Sequence, residues 1–223
     1  MKIMKTIIEK IDKNQKNTDI IREAGRILKE GGLVAFPTET VYGLGADALN
    51  EDAAKKIYAA KGRPSDNPLI IHITNMKALD KIVSEVPEKA VKVAEKYWPG
   101  PLTMIFNKSD IVPYGTTGGL DTVAVRMPVD EIAREVIDAG GGYIAAPSAN
   151  TSGRPSPTTA QHVAEDLTGR VDMIVDGGAV EIGVESTILD VTVEPPMILR
   201  PGAITKEMFE EVIGEVTVDR TLI

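Results

Sequence analysis

Two cations two residues apart, Lys61 and Arg63, open the run Lys61-Gly62-Arg63-Pro64-Ser65-Asp66-Asn67-Pro68-Leu69, on a turn stiffened by two prolines. Upstream, Pro37-Thr38-Glu39-Thr40-Val41-Tyr42-Gly43-Leu44-Gly45 sets hydroxyls, a carboxylate and two glycines directly after an apolar run, Leu33 to Phe36. Paired cations beside hydroxyls and glycines suit a polar, anionic small molecule held against exposed backbone. Further polar words follow: Trp98–Thr103, Val123–Pro128, Pro147–Gly153, Glu185–Ile188 and Leu199–Gly202. Each alone reads most simply as a turn, a local cap or a solvated charge. Their number points instead to a site assembled from several loops.

Elements able to position those words alternate between helix and strand signals. Helices are expected over Asp19–Lys29 with Thr18 as N-cap, Glu51–Ala60 with Asn50 as cap, Lys77–Val83, Pro87–Tyr97, Asp130–Asp138, Thr159–Leu167 and Lys206–Ile213. Strands are expected over Leu33–Phe36, Leu69–Ile73, Thr103–Phe106, Thr122–Arg126, Tyr143–Ala146, Val171–Val175 and Thr187–Val191. Short strands interleaved with helices imply an α/β domain, with the polar words at strand ends and in connecting loops. With no fixed repeat and no linker, one domain is expected.

Composition narrows the chemistry. The chain has 223 residues, 43% of them hydrophobic, enough for a substantial core. It has no cysteine, which excludes disulfides, thiolate metal sites and a cysteine nucleophile. No apolar run approaches ~20 residues, and Met1-Lys2-Ile3-Met4-Lys5 does not begin a signal peptide, so a soluble, cytoplasmic protein is expected. The net charge is −8, divided as +3 over residues 1–128 and −11 over residues 129–223. Such a balance, with few aromatics and no Lys/Arg runs, argues against a free-standing nucleic-acid binder, while a local cation cluster still suits one nucleotide.

Taken together and in order, these words closely resemble the YrdC/TsaC family, the threonylcarbamoyl-AMP synthases that begin threonylcarbamoyladenosine formation in tRNA. The resemblance runs from about Thr18 to Gly202, and the pairs Lys61-x-Arg63 and Ser148-x-Asn150 match the family's four-residue signature. The chain stops about twenty residues after Gly202, so it resembles the short, single-domain form. The resemblance implies a twisted α/β sheet with flanking helices and a concave, locally positive face. It also implies the reaction of ATP, L-threonine and bicarbonate to threonylcarbamoyl-AMP and pyrophosphate. Lys61, Arg63, Ser148 and Asn150 are then the catalytic set, and Asn67, Ser156 and Arg200 join Lys61, Arg63 and Ser148 around ATP. Thr40, His72, Thr122, Arg126, Ala146 and Ser186 would form the threonine side, with Arg126 facing the amino-acid carboxylate. Magnesium is expected with ATP, held by phosphate oxygens and water without a protein cage. The downstream partner would be the threonylcarbamoyl-transferase machinery acting on tRNA, with neither a membrane nor a stable nucleic-acid complex.

The chemistry accommodates this. In-line displacement at phosphorus needs positioning and charge stabilisation, which Lys as a point charge and Arg as a planar fork can supply. A paralogous enzyme with another carbamoyl or nucleotide substrate, or an RNA-binding module, remains as the alternative. Other mechanisms lack their signatures. Gly115-Thr116-Thr117-Gly118-Gly119 has no P-loop lysine, Gly43-x-Gly45-x-x-Ala48 begins too far beyond Phe36 for a Rossmann turn, and no Gly-x-Ser-x-Gly elbow occurs. Of the two histidines, His162 reads as a helix-surface residue, and only the resemblance lifts His72 out of its apolar run. Tyr42 reads as packing, and Glu39 and Glu185 as lone carboxylates bonded to nearby loop backbone.

Overall fold

The five residues Thr122–Arg126 show how sequence alternation becomes a two-faced sheet. Val123 and Val125 turn to one face and are buried, while Thr122, Ala124 and Arg126 turn to the other. The computed structural model describes residues 4–222. Among these, the strands are β1 (Ile7–Lys10), β2 (Val34–Pro37), β3 (Tyr42–Asp47), β4 (Ile70–His72), β5 (Leu102–Asn107), β6 (Thr122–Arg126), β7 (Ile144–Ala145), β8 (Met173–Asp176), β9 (Thr187–Asp190), β10 (Met197–Arg200) and β11 (Thr217–Val218). The helices are α1 (Thr18–Lys29), α2 (Glu51–Lys61), α3 (Met76–Ile82), α4 (Glu88–Tyr97), α5 (Tyr114–Thr117), α6 (Glu131–Ala139), α7 (Ala160–Leu167) and α8 (Lys206–Ile213). All strands join one mixed sheet in the order β1-β8-β2-β3-β7-β4-β6-β5-β9-β10-β11. No helix among the described residues is long and apolar enough to cross a membrane.

The two faces are packed unequally. One carries the main core, including Ile71, Met104, Phe106, Val123, Val125 and Leu189 under α2, α3, α4, α7 and α8. On the other, α1 and α6 bury Ile27, Leu28, Val136 and Ile137 against Val34, Phe36, Ile144, Met173 and Val175. That second cluster stops at β7, and beyond it the same face of β4, β6, β5 and β9 lines a cavity. The register fixes this, because His72 pairs with Ile144, Ile70 with Ala124, and Ile105 with Ala124, each pair on one face.

Several expected elements shift. Thr18 is the first residue of α1 and Asn17 holds the cap position without capping it, since the Asn17 amide bonds Asp12 and Gln15 instead. Half of the run expected as a loop, Pro37–Gly45, is β3, buried on both faces and paired to β2 and β7. Arg200 likewise ends a strand, β10, where a loop was expected. The edge strands β1 and β11 carry too little pattern to be read. The capping of α2 is as expected: the Asn50 side chain accepts from Asp52 N and Ala53 N.

Candidate active site

The open sheet face bounds a cavity of about 220 Å³. Ile70, Ile105, Ala124 and Ile188 make its apolar floor, and Arg63 reaches it from the turn after α2, Arg126 from the end of β6 and Arg200 from the end of β10. Thr40, Asn67, His72, Ala146, Ser148 and Ser186 also line it. Four expected residues do not: Lys61 and Asn150 lie behind Ser148, Ser156 reaches the site through Glu185, and Thr122 sits on the same face beyond Ala124. A larger cavity of about 870 Å³ opens beside Glu39, between α1 and α6. Its lining has Lys13 and Lys16 but none of the three arginines, so the smaller cavity holds the chemistry-bearing cluster.

Lys61 is not on the proline-stiffened turn. It is the last residue of α2, 3% exposed, and Gly62 ends the helix behind it at φ +61°, a conformation suited to glycine. Its ammonium donates to the carbonyls of Ser148 and, at 2.8 Å, Asn150. Lys61 therefore clamps the loop that presents Ser148. Burial, then repulsion from Arg63, lowers its pKa from 10.5 to about 8. The Asn150 amide donates to Thr151 O at 2.9 Å and Arg154 O at 2.8 Å, leaving its buried Oδ1 without a partner among the described residues. Arg63 is braced by its own turn, with Nε to Asn67 O, Nη2 to Asn67 Oδ1 at 2.8 Å and Nη2 to Pro68 O at 2.8 Å.

Arg126 is nearly as enclosed as Lys61, 4% exposed. It pairs with the equally buried Glu39, donates from Nη1 to Thr40 Oγ1 at 2.8 Å and reaches Gly100 O at 3.3 Å. Glu39 also accepts from the backbone N–H of Val129 and Asp130, just before α6. The expectation that Glu39 would bond only loop backbone was half the story, since its other oxygen sets Arg126. Thr40 Oγ1 lies 2.9 Å from Thr38 Oγ1, and Thr38 donates to Val41 O, so the Thr40 hydroxyl proton points to Thr38 while its oxygen accepts from Arg126. His72 directs Nδ1 at Ile70 O, 3.1 Å away, which fixes Nδ1 as the protonated nitrogen. Burial and then Arg126 lower its pKa from 6.5 to about 3, so the ring is neutral. Tyr42 is packing, with its hydroxyl donating to Gly178 O.

Arg200 closes the opposite side. Nε donates to Ser186 O at 2.9 Å and Nη2 to Ser186 Oγ at 3.1 Å, while Nη1 pairs with Glu185. Gly202 permits this approach, because a Cβ there would stand 2.5 Å from Thr187 N. Ser186 Oγ is also 2.7 Å from Thr103 Oγ1. Among the described residues Glu185 bonds no loop backbone, contrary to expectation; its second oxygen accepts from Ser156 Oγ at 2.7 Å. Sequence reasoning passed over Glu39 and Glu185 as site residues. Their signal was adjacency, because each directly precedes a hydroxyl residue of the expected threonine side, Thr40 or Ser186.

The Sua5/YciO/YrdC family profile, described as "Telomere recombination", matches residues 26–202. The chain belongs to this family. It is 58% identical to the threonylcarbamoyl-AMP synthase of Pyrococcus abyssi over 198 residues, covering 89% of this chain and 58% of that protein. The Bacillus subtilis threonylcarbamoyl-AMP synthase is 52% identical over 223 residues, covering 100% of this chain and 64% of the relative. The crystal structure of P. abyssi Sua5 complexed with L-threonine superposes with a TM-score of 0.89 at 54% identity, covering 97% of this chain and 62% of that one. The chain thus spans less than two thirds of the length of these relatives.

Proposed function

We propose that this chain is a nucleotidyltransferase that makes threonylcarbamoyl-AMP from ATP, L-threonine and bicarbonate, releasing pyrophosphate and water. The observation that carries this reading is the gathering of Arg63, Arg126 and Arg200 with Thr40, Ser148 and Ser186 around one cavity of about 220 Å³, room for an amino acid. The threonine-bound relative at 54% identity supports the same substrate here.

In this reading, the threonine nitrogen attacks the bicarbonate carbon, water leaves, and an oxygen of the resulting carbamate attacks the α-phosphorus as pyrophosphate departs. Negative charge gathers at both the entering and leaving oxygens, so fixed cations contribute most of the stabilisation. Arg126, oriented by Glu39, faces the threonine carboxylate beside the Thr40 and Ser186 hydroxyls. Arg63 and Arg200 serve the phosphates with Ser148, Asn67 and Ser156. Lys61 and Asn150 act by holding the Ser148 loop, and the Lys61 charge adds to the field. Neutral His72 walls the threonine side beside Ala146, and Thr122 lies outside the cavity, on the same sheet face.

Magnesium would arrive on ATP, held by phosphate oxygens and water, and would neutralise charge on the pyrophosphate. The donors around the cavity fit that arrangement, being guanidinium, hydroxyl and amide groups, with Glu185 the one carboxylate among the described lining residues. The product would pass to a transferase that acts on tRNA. The test is pyrophosphate release with each substrate withheld in turn. Release should require all three; release that continues without threonine would overturn the reading in favour of another use of ATP.

A further inference from the structure

We propose that Glu185 is an anion built into the site, which occupies Arg200 and Ser156 until a nucleotide phosphate replaces it. This rests on the reading that the cavity takes ATP. Glu185 is the only carboxylate among the described residues lining the cavity, and it stands with three arginines. Its two oxygens already satisfy two groups suited to a phosphate: Oε2 pairs with Arg200 Nη1, and Oε1 accepts from Ser156 Oγ at 2.7 Å. A carboxylate bridging a guanidinium and a hydroxyl stands where two phosphate oxygens would.

The pair is placed so that it can be exchanged. The Arg200 and Glu185 side chains are 31% and 32% exposed, whereas Arg126 and Glu39 are each 4% exposed. A half-buried ion pair is given up more readily than one shut away from solvent. Glu185 ends the segment that leaves β8, and the anchors of that segment lie upstream of it: Val180 N to Thr158 O, Ile182 N to Glu39 O and Gly183 N to Thr40 O, at 2.9–3.0 Å. The carboxylate can therefore swing away without breaking them. Arg200 keeps its bonds to Ser186 O and Oγ, so its guanidinium is already aimed when the phosphate arrives. Glu185 also favours the charged forms of Lys61 and Arg63. A ligand without phosphate, such as threonine, would leave the carboxylate in place.

The experiment is titration calorimetry of the wild type and Glu185→Gln with ATP, with inorganic pyrophosphate and with L-threonine, each separately. Glutamine keeps the size and an acceptor for Ser156 but removes the competing charge. ATP and pyrophosphate should bind about three- to tenfold more tightly to the variant, the scale of losing a partly solvated ion-pair competitor, with threonine unchanged. Unchanged or weaker binding of ATP and pyrophosphate by the variant would overturn the proposal and make Glu185 a support for Arg200 instead. So would a variant altered only in threonine binding. Silence of both proteins toward ATP and pyrophosphate would remove the ATP reading itself. Glu185→Ala, with its melting temperature measured, repeats the comparison should the glutamine variant fold poorly.

Discussion

Replacing Lys61 by methionine separates two roles of this lysine. The ammonium lies beneath the Ser148 loop and donates to the carbonyls of Ser148 and Asn150. Its pKa falls from 10.5 to about 8 through burial and then Arg63, so keeping it charged at neutral pH costs about 3 kcal/mol. Methionine removes that cost but strips two buried carbonyls of their donor, at about 1–3 kcal/mol each. The effects oppose, and the net change should lie between a gain of about 1 and a loss of about 3 kcal/mol, leaving a folded protein. Turnover has no such offset. Without the charge, and with Ser148 no longer held at the cavity wall, it should drop by about 10²–10³. Denaturant midpoints read the first quantity and pyrophosphate release the second. A folded variant turning over like the wild type would refute the role of Lys61, and a variant that does not fold would refute the cancellation.

The same pKa predicts an alkaline limb. kcat/KM should fall above about pH 8 as Lys61 loses its proton, while kcat, read with phosphates bound, holds to higher pH; a flat kcat/KM profile there would contradict this. Stability moves the other way: the folded-state pKa is depressed, so unfolding takes up a proton between about pH 8 and 10.5, and this residue's contribution to stability rises with pH. His72, lowered from 6.5 to about 3, stabilises the fold fully above pH 6.5 and progressively less as pH falls toward 3, so His72→Gln should lose less stability than wild type between neutrality and about pH 5 in urea titrations. Glu39→Ala leaves the Arg126 charge buried and unpaired, at about 3–5 kcal/mol, whereas Glu39→Gln keeps the shape and should cost less while raising the KM for threonine. Equal melting temperatures for the two Glu39 variants would show that the shape and neutral hydrogen bonding of this side chain add nothing beyond its charge, contradicting this expectation.

The sequence carried α2 plainly, because Asn50 and Gly62 mark its ends, and it carried β6 through the alternation of Val123 and Val125 with Ala124 and Arg126. It hid β3, because Gly43 and Gly45 read as loop residues, whereas they let the strand pack against Phe36, Ile144 and Ala146. It also misplaced Lys61, since Gly62 and Pro64 suggested a turn that begins one residue too early. The site residues were legible as types, yet their pairing was not. Glu39 and Arg126 lie 87 positions apart, and only the register of β4, β6 and β7 brings the β6 end over the β2–β3 turn. Local signals fixed the elements; long-range pairing set the charges.

Isotopically heavy bicarbonate tests the central claim most directly. Incubated with magnesium-ATP and L-threonine, the folded protein should yield an adenylate whose carbamoyl carbon carries the heavy label, seen by mass spectrometry in step with pyrophosphate release. Pyrophosphate released with no labelled adenylate, or an adenylate lacking the label, would contradict the account.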